Sequence, residues 1–457
     1  MEKRKFSKEK GKTILIIAIL IITIMALAGG LVLYKNMNTS QMSNNNQGMP
    51  EMPGGQGGMQ DSSSTSSDSS GNTTIDGSNE TLSSTSYEST NSDESAILVK
   101  NGGNATISDT TVTKSGDSSN TENSEFYGVN SGILVTAGST ATIKNADITT
   151  NSKGSNAVFS TGTDSKIYIS DSKITTTGSA SARGLDATYG GYIEADNVTI
   201  TTQGGSCATL ATDRGEGTAK ASNSTLETNG TGSPVIYSTG DISISNTNGT
   251  AKGSQMVVIE GKNSATVTSS TLSASGKGNR GDTDQAGIMI YQSMSGDASV
   301  GTGNFTSIDS TLEIQSTSDY YKTAPMFFIT NTNAVINLTN TKLVYGSGIL
   351  LSAKGTSEWG NSGSNGGTVT MNAKNQELTG NIELDNISEL TLNMEDTTYE
   401  GTINADNSAK SISIKLDSSS KIKLTGDSYV TSLDDEDATY SNIDFNGYKL
   451  YVNGKAI

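Results

Sequence analysis

The sequence predicts an all-β solenoid in which short strands stack in parallel, and two observations carry this prediction. The first is composition: of 457 residues only 32% are hydrophobic and 5% aromatic, while 51 are Gly, which is too little apolar side chain for several ordinary globular domains. The second is self-similarity at a period of about 25 residues, which marks a repeat architecture. A thin core lined by small β-branched residues accounts for both observations.

The repeat is seen first in the motif apolar-x-polar-x-x-apolar, as in Ile143-x-Asn145-x-x-Ile148. Many steps between its polar positions are 23 to 28 residues, and longer steps indicate surface insertions. Asn and Asp suit such a turn because they tolerate left-handed backbone angles, and stacked side chains form a ladder between rungs. This alignment places Asp109, Asn145, Asp171, Ala195, Asn223, Asn246, Ser269, Asp309 and Asn340 at the turn, and the predicted ladder consists of Asn145, Asp171, Asn223, Asn246 and Asn340.

The same period recurs independently in a series of threonines that end strand-like segments such as "SGILVT" and "NAVFST". Alternating β-branched segments bounded by Gly, Asn and Asp indicate strands and turns, and about 25 residues make three short strands, one rung of a parallel β-helix. "GLDATYGGYIEADNVTITTQGG" (184–205) is one such rung. The predicted threonine ladder contains Thr136, Thr161, Thr188, Thr212 and Thr239.

The chain divides into five predicted parts. Residues 1–12 carry six Lys or Arg against two Glu and form a cytoplasmic basic tail, and residues 13–34 run without charge, long enough for a transmembrane helix or signal anchor. "ALA" at Ala26 to Ala28 leaves cleavage and secretion as the alternative. Residues 35–95 are of low complexity and predict a disordered stalk. Residues 96–380 form the β-helix, and 381–457 its C-terminal rungs and cap.

Composition also removes several classes of function. The chain has no His and a single Cys, Cys207, which excludes His-dependent catalytic triads and multi-cysteine metal sites. Without residues 1–12, of net charge +4, the formal charge of −17 becomes −21. Such a chain repels nucleic acid, so nucleic acid is not an expected partner.

With these rungs and asparagine turns, residues 95–457 resemble the right-handed parallel β-helix proteins of the pectate-lyase-like fold. More closely, the chain is similar to adhesin-like β-helix proteins of Gram-positive surfaces, which share the basic and apolar N-terminus, the stalk and an ending like "GYKLYVNGKAI". The resemblance implies a right-handed solenoid on the outer face of a bacterial membrane. It also implies adhesion, although a fold alone does not define a function.

Neighbouring rungs bring together the candidate ligand-binding residues Arg183, Asp186, Asp213 and Arg214. Tyr291, and Trp359 in an insertion after a rung, are candidates of a second kind, aromatic residues that could bind a sugar. Pectate lyases place Ca²⁺-binding Asp residues and a basic residue on one face, and this resemblance implies Asp282 and Asp284 as metal ligands. Solvated turns carry such charges as well, and an aromatic residue in a loop often only packs that loop onto the solenoid. No cofactor is required by the sequence, and Ca²⁺ is the one suggested.

Three functions follow as hypotheses. The first is a non-catalytic cell-surface protein that presents an extended acidic face for adhesion or for polysaccharide binding, with polysaccharide or a host or cell-envelope surface as partner. The second is a Ca²⁺-dependent polysaccharide lyase or glycoside hydrolase of acidic glycans. The third is a structural spacer of the cell envelope.

Overall fold

The computed structural model describes residues 69–280 and 283–457, which form a solenoid of parallel β-strands. Successive strands pass from sheet A to sheet B to sheet C, and most strands pair with the strand three places further along the chain. Pairing within these sheets is parallel, as in β7–β10, β8–β11 and β9–β12. The predicted β-helix architecture is therefore confirmed.

Strands are numbered in chain order. Sheet A contains β1 (Ser70–Asp76), β4 (Glu94–Lys100), β7 (Ile133–Thr136), β10 (Val158–Thr161), β13 (Leu185–Thr188), β16 (Leu210–Thr212), β19 (Ile236–Ser238), β22 (Val257–Glu260), β25 (Ile288–Tyr291), β28 (Phe327–Thr330), β31 (Ile349–Ala353) and β34 (Asn381–Leu384). Sheet B contains β2 (Asn79–Ser83), β5 (Asn104–Ser108), β8 (Thr140–Lys144), β11 (Lys166–Ser170), β14 (Tyr192–Asp196), β17 (Thr218–Ser222), β20 (Asp241–Ser245), β23 (Ser264–Thr268), β26 (Thr302–Ile308), β29 (Thr332–Thr339), β32 (Gly367–Lys374), β35 (Glu389–Glu395), β37 (Ser411–Leu416) and β40 (Ser432–Asp435).

Sheet C contains β3 (Ser86–Ser89), β6 (Thr111–Lys114), β9 (Asp147–Thr150), β12 (Lys173–Thr176), β15 (Thr199–Thr202), β18 (Thr225–Thr228), β21 (Asn248–Ala251), β24 (Thr271–Ala274), β27 (Thr311–Ile314) and β30 (Lys342–Val344). Two smaller sheets follow towards the C-terminus: sheet D with β33 (Glu377–Thr379), β36 (Thr398–Gly401), β38 (Lys421–Leu424) and β41 (Ile443–Asp444), and sheet E with β39 (Ser428–Val430), β42 (Leu450–Val452) and β43 (Lys455–Ala456). The last two strands pair antiparallel. A helix, α1 (Thr121–Tyr127), lies in the insertion between β6 and β7.

The corner between a strand of sheet B and the next strand is built from two residues. The first residue has a left-handed backbone with φ between 46° and 53°, a conformation that Asn and Asp tolerate better than other residues with a Cβ. These corner residues are Asp109, Asn145, Asp171, Asn197, Asn223, Asn246, Ser269, Asp309, Asn340, Asn375 and Asp396. Neighbours also bond across rungs, since the amide of Asn145 donates to Asp109 at 2.6 Å and that of Asn340 to Asp309 at 2.7 Å.

One position of the turn alignment is wrong. Ala195 lies inside strand β14 opposite Ile169, and the corner residue of this rung is Asn197, whose side-chain amide donates to Asp171 at 2.8 Å. The slip is of two residues, which preserves the alternation between inward and outward side chains. The two apolar positions of the motif therefore fit in either register, as Ile193 and Val198 or as Ala195 and Ile200.

The second corner residue is buried and carries a hydroxyl group in most rungs. That hydroxyl accepts a hydrogen bond from the backbone N–H of the corresponding residue one rung earlier. The distances are 3.0 Å for Ala146 to Ser172, 3.1 Å for Val198 to Ser224, 3.3 Å for Ser224 to Thr247, 3.0 Å for Thr247 to Ser270 and 3.1 Å for Ser270 to Ser310. Each of these five hydroxyl groups thus satisfies a backbone donor of the neighbouring rung that the corner would otherwise bury without a partner.

The threonines of the predicted ladder lie in sheet A or directly after it, but not all in one row. Thr136, Thr161 and Thr188 lie opposite one another in sheet A, and the hydroxyl groups of Thr161 and Thr188 are hydrogen-bonded at 2.8 Å. Thr212 is displaced by one residue and lies opposite Ala187. Thr239 joins the series by its N–H, which donates to the Thr212 hydroxyl at 2.9 Å.

The core is narrow and lies between the three sheets. Its side chains are mainly Ile, Val, Leu and Ala, as the composition predicts, and Cys207 is fully buried beside it. A second threonine series, which the sequence analysis did not identify, closes the turn from sheet C to sheet A. Each of its hydroxyls donates to a carbonyl five or six residues ahead: Thr150 to Ser155, Thr176 to Ala182, Thr202 to Cys207 and Thr228 to Ser233.

The predicted stalk is too long. Residues from Ser70 to Ser89 form strands β1, β2 and β3, which pair with β4, β5 and β6, so the solenoid begins about one rung before residue 96. These strands contribute few buried apolar side chains, Ile75 and Leu82 among them, and therefore resemble stalk in composition. The predicted tail (1–12), membrane segment (13–34) and first part of the stalk lie outside the described residues. Within the described part of the chain, no helix has the length and apolar character needed to cross a membrane.

The corner hydroxyls give a first prediction. We expect Ser224→Ala to lower the free energy of unfolding by about 1–3 kcal/mol, because it leaves the buried N–H of Val198 without an acceptor. Chemical denaturation measures this loss, and amide hydrogen exchange at Val198 locates it. Ser243→Ala, an outward position on β20 without a side-chain hydrogen bond, is the matched control and should change stability by less than about 0.5 kcal/mol. Equal effects of the two substitutions would contradict the role of the corner.

Candidate functional site

The outer face of sheet A is covered by three insertions. The outward residues of successive strands form one row: Leu98, Leu134, Phe159, Asp186, Ala211, Tyr237, Val258, Met289 and Phe328. Most of them are apolar, and a row of this kind requires a cover. Helix α1 and residues 292–301 and 354–366 lie over it, as the contacts below show. Asp186 is thus a carboxylate in the middle of an apolar row.

The structure brings three of the predicted ligand-binding residues together under this cover. One guanidinium nitrogen of Arg183 lies 2.6 Å from Asp186 and 2.8 Å from Asp213. The side chains of Arg183, Asp186 and Asp213 are 9%, 0% and 6% exposed. The three side chains therefore form a buried ion-pair cluster, hereafter the Arg183 cluster, in which one guanidinium lies between two carboxylates away from solvent.

Burial governs the protonation of this cluster. It raises the pKa of Asp213 to about 7 and also raises the pKa of Asp186, against the opposing attraction of Arg183. A charged carboxylate loses its hydration on burial, and here two carboxylates share one guanidinium. Oδ1 of Asp186 is buried without a hydrogen-bond partner, which adds to the cost of its charged form.

Helix α1 provides the cover over the Arg183 cluster. Its Asn120 cap accepts the N–H of Asn123, and the carbonyl of Phe126 accepts the Thr188 hydroxyl at 2.8 Å. Glu125 accepts a hydrogen bond from Ser181 and adds a further negative charge near the cluster. The helix is therefore held to sheet A by specific polar contacts.

Arg214, the fourth predicted binding residue, secures two of the covering segments. Its guanidinium lies 3.8 Å from the ring centre of Phe126 on α1, and it pairs with Asp297 at 2.7 Å. A cation above an aromatic face and a charge-assisted hydrogen bond both stabilise this arrangement. Arg214 connects the residues 292–301 to helix α1, and its side chain is 30% exposed.

Tyr291 lies under the cover, and Trp359 belongs to the covering segment 354–366. The Tyr291 hydroxyl donates to Glu260 at 2.8 Å, and its ring meets that of Trp359 edge-on at 5.1 Å. Glu260 accepts further hydrogen bonds from Tyr237, at 3.0 Å, and from Ser293, and burial raises its pKa. Trp359 is only 6% exposed, so its ring packs the loop onto Val258, Met289 and Phe328 and does not present a face to a sugar.

Asp284, predicted as a metal ligand, closes a turn. Its carboxylate accepts the N–H of Asn279 at 3.0 Å and of Arg280 at 2.9 Å. Asp282, its predicted companion, lies outside the described residues. Across residues 69–280 and 283–457, no group of three or more His, Cys, Asp or Glu side chains is positioned to hold a metal ion. The Ca²⁺ prediction therefore gains no donor set from this part of the chain.

The outward face of sheet B differs from that of sheet A because its side chains reach solvent. Five adjacent strands, β23, β26, β29, β32 and β35, carry uncharged residues in their two central outward columns, which we call the neutral tract. The first column holds Ser264, Asn304, Val335, Thr370 and Thr391, and the second Thr266, Thr306, Asn337, Asn372 and Asn393. These residues are half-buried or exposed. The tract is notable in a chain with 77 Asp, Glu, Lys and Arg among its residues.

An exposed aromatic pair lies on the same face, nearer the N-terminus. Tyr168 on β11 is 40% exposed, and its ring centre is 6.0 Å from that of Tyr192 on β14. Lys220 lies 5.4 Å from the Tyr192 ring, and the Tyr192 hydroxyl donates to Glu194. We call Tyr168 and Tyr192 the tyrosine platform.

The sequence predicts Tyr192 as a candidate sugar-binding aromatic, but Tyr168 and the neutral tract were missed. A signal for the neutral tract is present, because Thr306, Asn337, Asn372 and Asn393 each stand three residues before a corner residue. Counting three residues back from each corner residue would have aligned these four side chains in one column.

No protein-family model, curated protein or solved structure matches the chain. The parallel solenoid architecture is therefore supported by the strand pairing itself, and the adhesin-like resemblance remains an expectation from the sequence.

The Arg183 cluster leads to a second prediction. The pKa of Asp213 is raised from its ordinary 3.8 to about 7 in the folded protein, so protonation stabilises the fold fully below pH 3.8 and this stabilisation is lost as pH rises through about 7. We expect the free energy of unfolding to fall between about pH 4 and pH 7, by on the order of 4 kcal/mol from this group. Denaturation at a series of pH values measures the slope.

Asp213→Asn should reduce this slope, because the amide does not titrate. Asp406→Asn, at an exposed position, is the control and should leave the slope as it is. A slope that is unchanged in Asp213→Asn would show that the carboxyl at this position is not the titrating group.

Proposed function

We propose that the chain is a non-catalytic surface protein that binds neutral polysaccharide through the outward face of sheet B. The single observation that carries the proposal is the neutral tract, an uncharged polar surface on a chain of formal charge −17. Hydroxyl and amide side chains exchange hydrogen bonds with sugar hydroxyls, and the absence of charge in the two central columns suits an uncharged polymer. Charged residues such as Lys374 and Glu395 border the tract.

The proposal differs in one respect from the acidic face expected from the sequence. Among the predicted binding residues, Arg183, Asp186 and Asp213 are ion-paired and buried, and Trp359 packs inside its loop. These groups support the cover of sheet A. The open surface that remains on sheet B is uncharged in its centre, which favours neutral glycans over acidic ones.

Weak contacts repeated along a rigid support explain how such a surface would hold a polymer. Each hydrogen bond to a sugar replaces one to water and contributes little, but a polymer that meets several rungs gains avidity because its second contact is intramolecular. The N-terminal apolar segment, as predicted from the sequence, would display this surface on the outer side of a bacterial membrane.

The third prediction tests this function by affinity electrophoresis of the full-length protein. We expect retardation in gels that contain hydroxyethylcellulose or another neutral polysaccharide, and little in gels with polygalacturonate, which carries negative charge. Thr370→Glu should weaken binding about tenfold or more, because it places a carboxylate in the centre of the neutral tract. Thr225→Glu, at an exposed position on sheet C, is the matched control.

The outcomes separate the hypotheses. Equal binding by Thr370→Glu and Thr225→Glu would contradict a site on sheet B. Absence of binding to every glycan would favour a structural spacer of the cell envelope. Release of unsaturated products from polygalacturonate with Ca²⁺, measured by absorbance, would instead indicate the lyase hypothesis.

A further inference from the structure

We infer that the bound glycan lies along the solenoid axis, across the strands of sheet B, and that its class is an unbranched neutral polysaccharide. This inference rests on the proposed function and adds the direction and the shape of the ligand. It is carried by a ladder of side-chain amides in the neutral tract and by the tyrosine platform on the same face.

The amide ladder runs through four consecutive strands. The Asn337 amide donates to the Thr306 hydroxyl at 3.2 Å, the Asn372 amide to Asn337 Oδ1 at 2.9 Å, and the Asn393 amide to Asn372 Oδ1 at 2.8 Å. All three amides therefore point in the same direction along the axis. The ladder repeats at the strand spacing of about 4.8 Å.

Each amide in the ladder keeps hydrogen-bonding capacity. A primary amide has two N–H donors and two carbonyl lone pairs, and the ladder uses one donor and one lone pair of Asn337 and of Asn372. Since both side chains are half-buried on the outward face, the remaining donor and lone pair are available to a ligand. A sugar hydroxyl, which both donates and accepts, complements such a group.

The direction of the ligand follows from where the surface repeats. Along a strand, outward positions are two residues apart and differ in chemistry, as Val335 and Asn337 do in β29. Across the strands, the same column offers Thr306, Asn337, Asn372 and Asn393 in succession. A polymer repeats its own hydroxyl groups, so it finds repeated partners only when it lies across the strands, along the solenoid axis.

The tyrosine platform extends this path. Tyr192 on β14 and Ser264 on β23 are separated by three strand spacings, about 14 Å, and both lie in the first outward column. An exposed aromatic ring such as that of Tyr168 packs against the apolar face of a pyranose ring. A glycan on the axial path therefore reaches the platform only if it extends well beyond the neutral tract, whose five strands span about 19 Å.

A branched polymer does not fit this arrangement. The outward columns lie side by side on a flat sheet, and side branches would lift the main chain from the ladder. An unbranched chain keeps contact with the platform and the ladder at once, so its affinity rises with length.

The test compares three neutral glycans: cellotetraose, which is short enough to remain within the neutral tract, the linear polymer hydroxyethylcellulose, and branched yeast mannan. Binding to the full-length protein is measured by calorimetry and by affinity electrophoresis. We expect Asn372→Asp to weaken binding of both linear ligands about tenfold, and the matched control Asn248→Asp, on an exposed position of sheet C, to have no effect. We expect Tyr168→Ala to weaken only the polymer, several-fold, whereas the control Tyr448→Ala, at a tyrosine 43% exposed, leaves both unchanged.

Each other outcome is informative. If no neutral glycan binds the unmodified protein, the proposed function itself fails. If glycans bind but Asn372→Asp behaves as Asn248→Asp, the amide ladder is not the contact. If Tyr168→Ala weakens the tetrasaccharide as much as the polymer, or if mannan binds as tightly as the linear polymer, the axial arrangement is wrong. Thermal unfolding of each variant confirms that a loss of binding is not a loss of fold.

Discussion

The structure depends on how two residues at each corner of the solenoid satisfy their backbone. The first takes a left-handed conformation, and the N–H of the second donates to a hydroxyl of the next rung in most of the series, as Val198 does to Ser224. A buried N–H without a partner costs about as much as several surface contacts contribute. This constraint couples each rung to the next, and it sets the register of the strands on both sides of the corner. The outward side chains form straight columns because the corner residues of successive rungs are aligned with one another.

Regular corners have opposite consequences for the two faces described above. Each strand of sheet B from β2 to β32 ends at a corner of constant length, and no insertion covers the outward side chains of sheet B that are described above. Sheet A receives the long insertions, including α1, and its outer row is apolar except where Asp186 interrupts it. Taking the charges of Asp186 and Asp213 out of water is costly, and Arg183 offsets that cost only in part, as the raised pKa of Asp213 shows. The Arg183 cluster gives α1 and the neighbouring covering segments a defined position on sheet A.

The period of the sequence was sufficient to predict the β-helix, the Asn and Asp corners and the proximity of Asp186 to Asp213, which are one rung apart. The period was not sufficient to place Asn197 at its corner, because shifting the alignment by two residues keeps the same alternation of inward and outward side chains in the strand. Nor did it reveal that the Arg183 cluster is buried: α1 belongs to an insertion, and where an insertion docks depends on shape and charge that have no period. The first rung was read as stalk because its strands bury few apolar side chains, Ile75 and Leu82 among them, and gain their stability from pairing with the rung beneath.

The same argument separates scaffold from surface among residues of one type. Asn197 and Asn372 are both asparagines, and both donate across rungs, yet the first is required by a left-handed corner and the second lies in an extended strand where many residues would fit. Because Thr, Ser or Val would serve the strand equally well, local structure does not account for the succession of Asn337, Asn372 and Asn393. Three amides stacked at the spacing of the rungs hydrogen-bond along the column, and in the proposed function their remaining donors and lone pairs also face the glycan. For a polymer that repeats its own hydroxyl groups, a surface with a matching translational repeat offers equivalent contacts at every register, and such a surface arises from a solenoid and not from a single pocket.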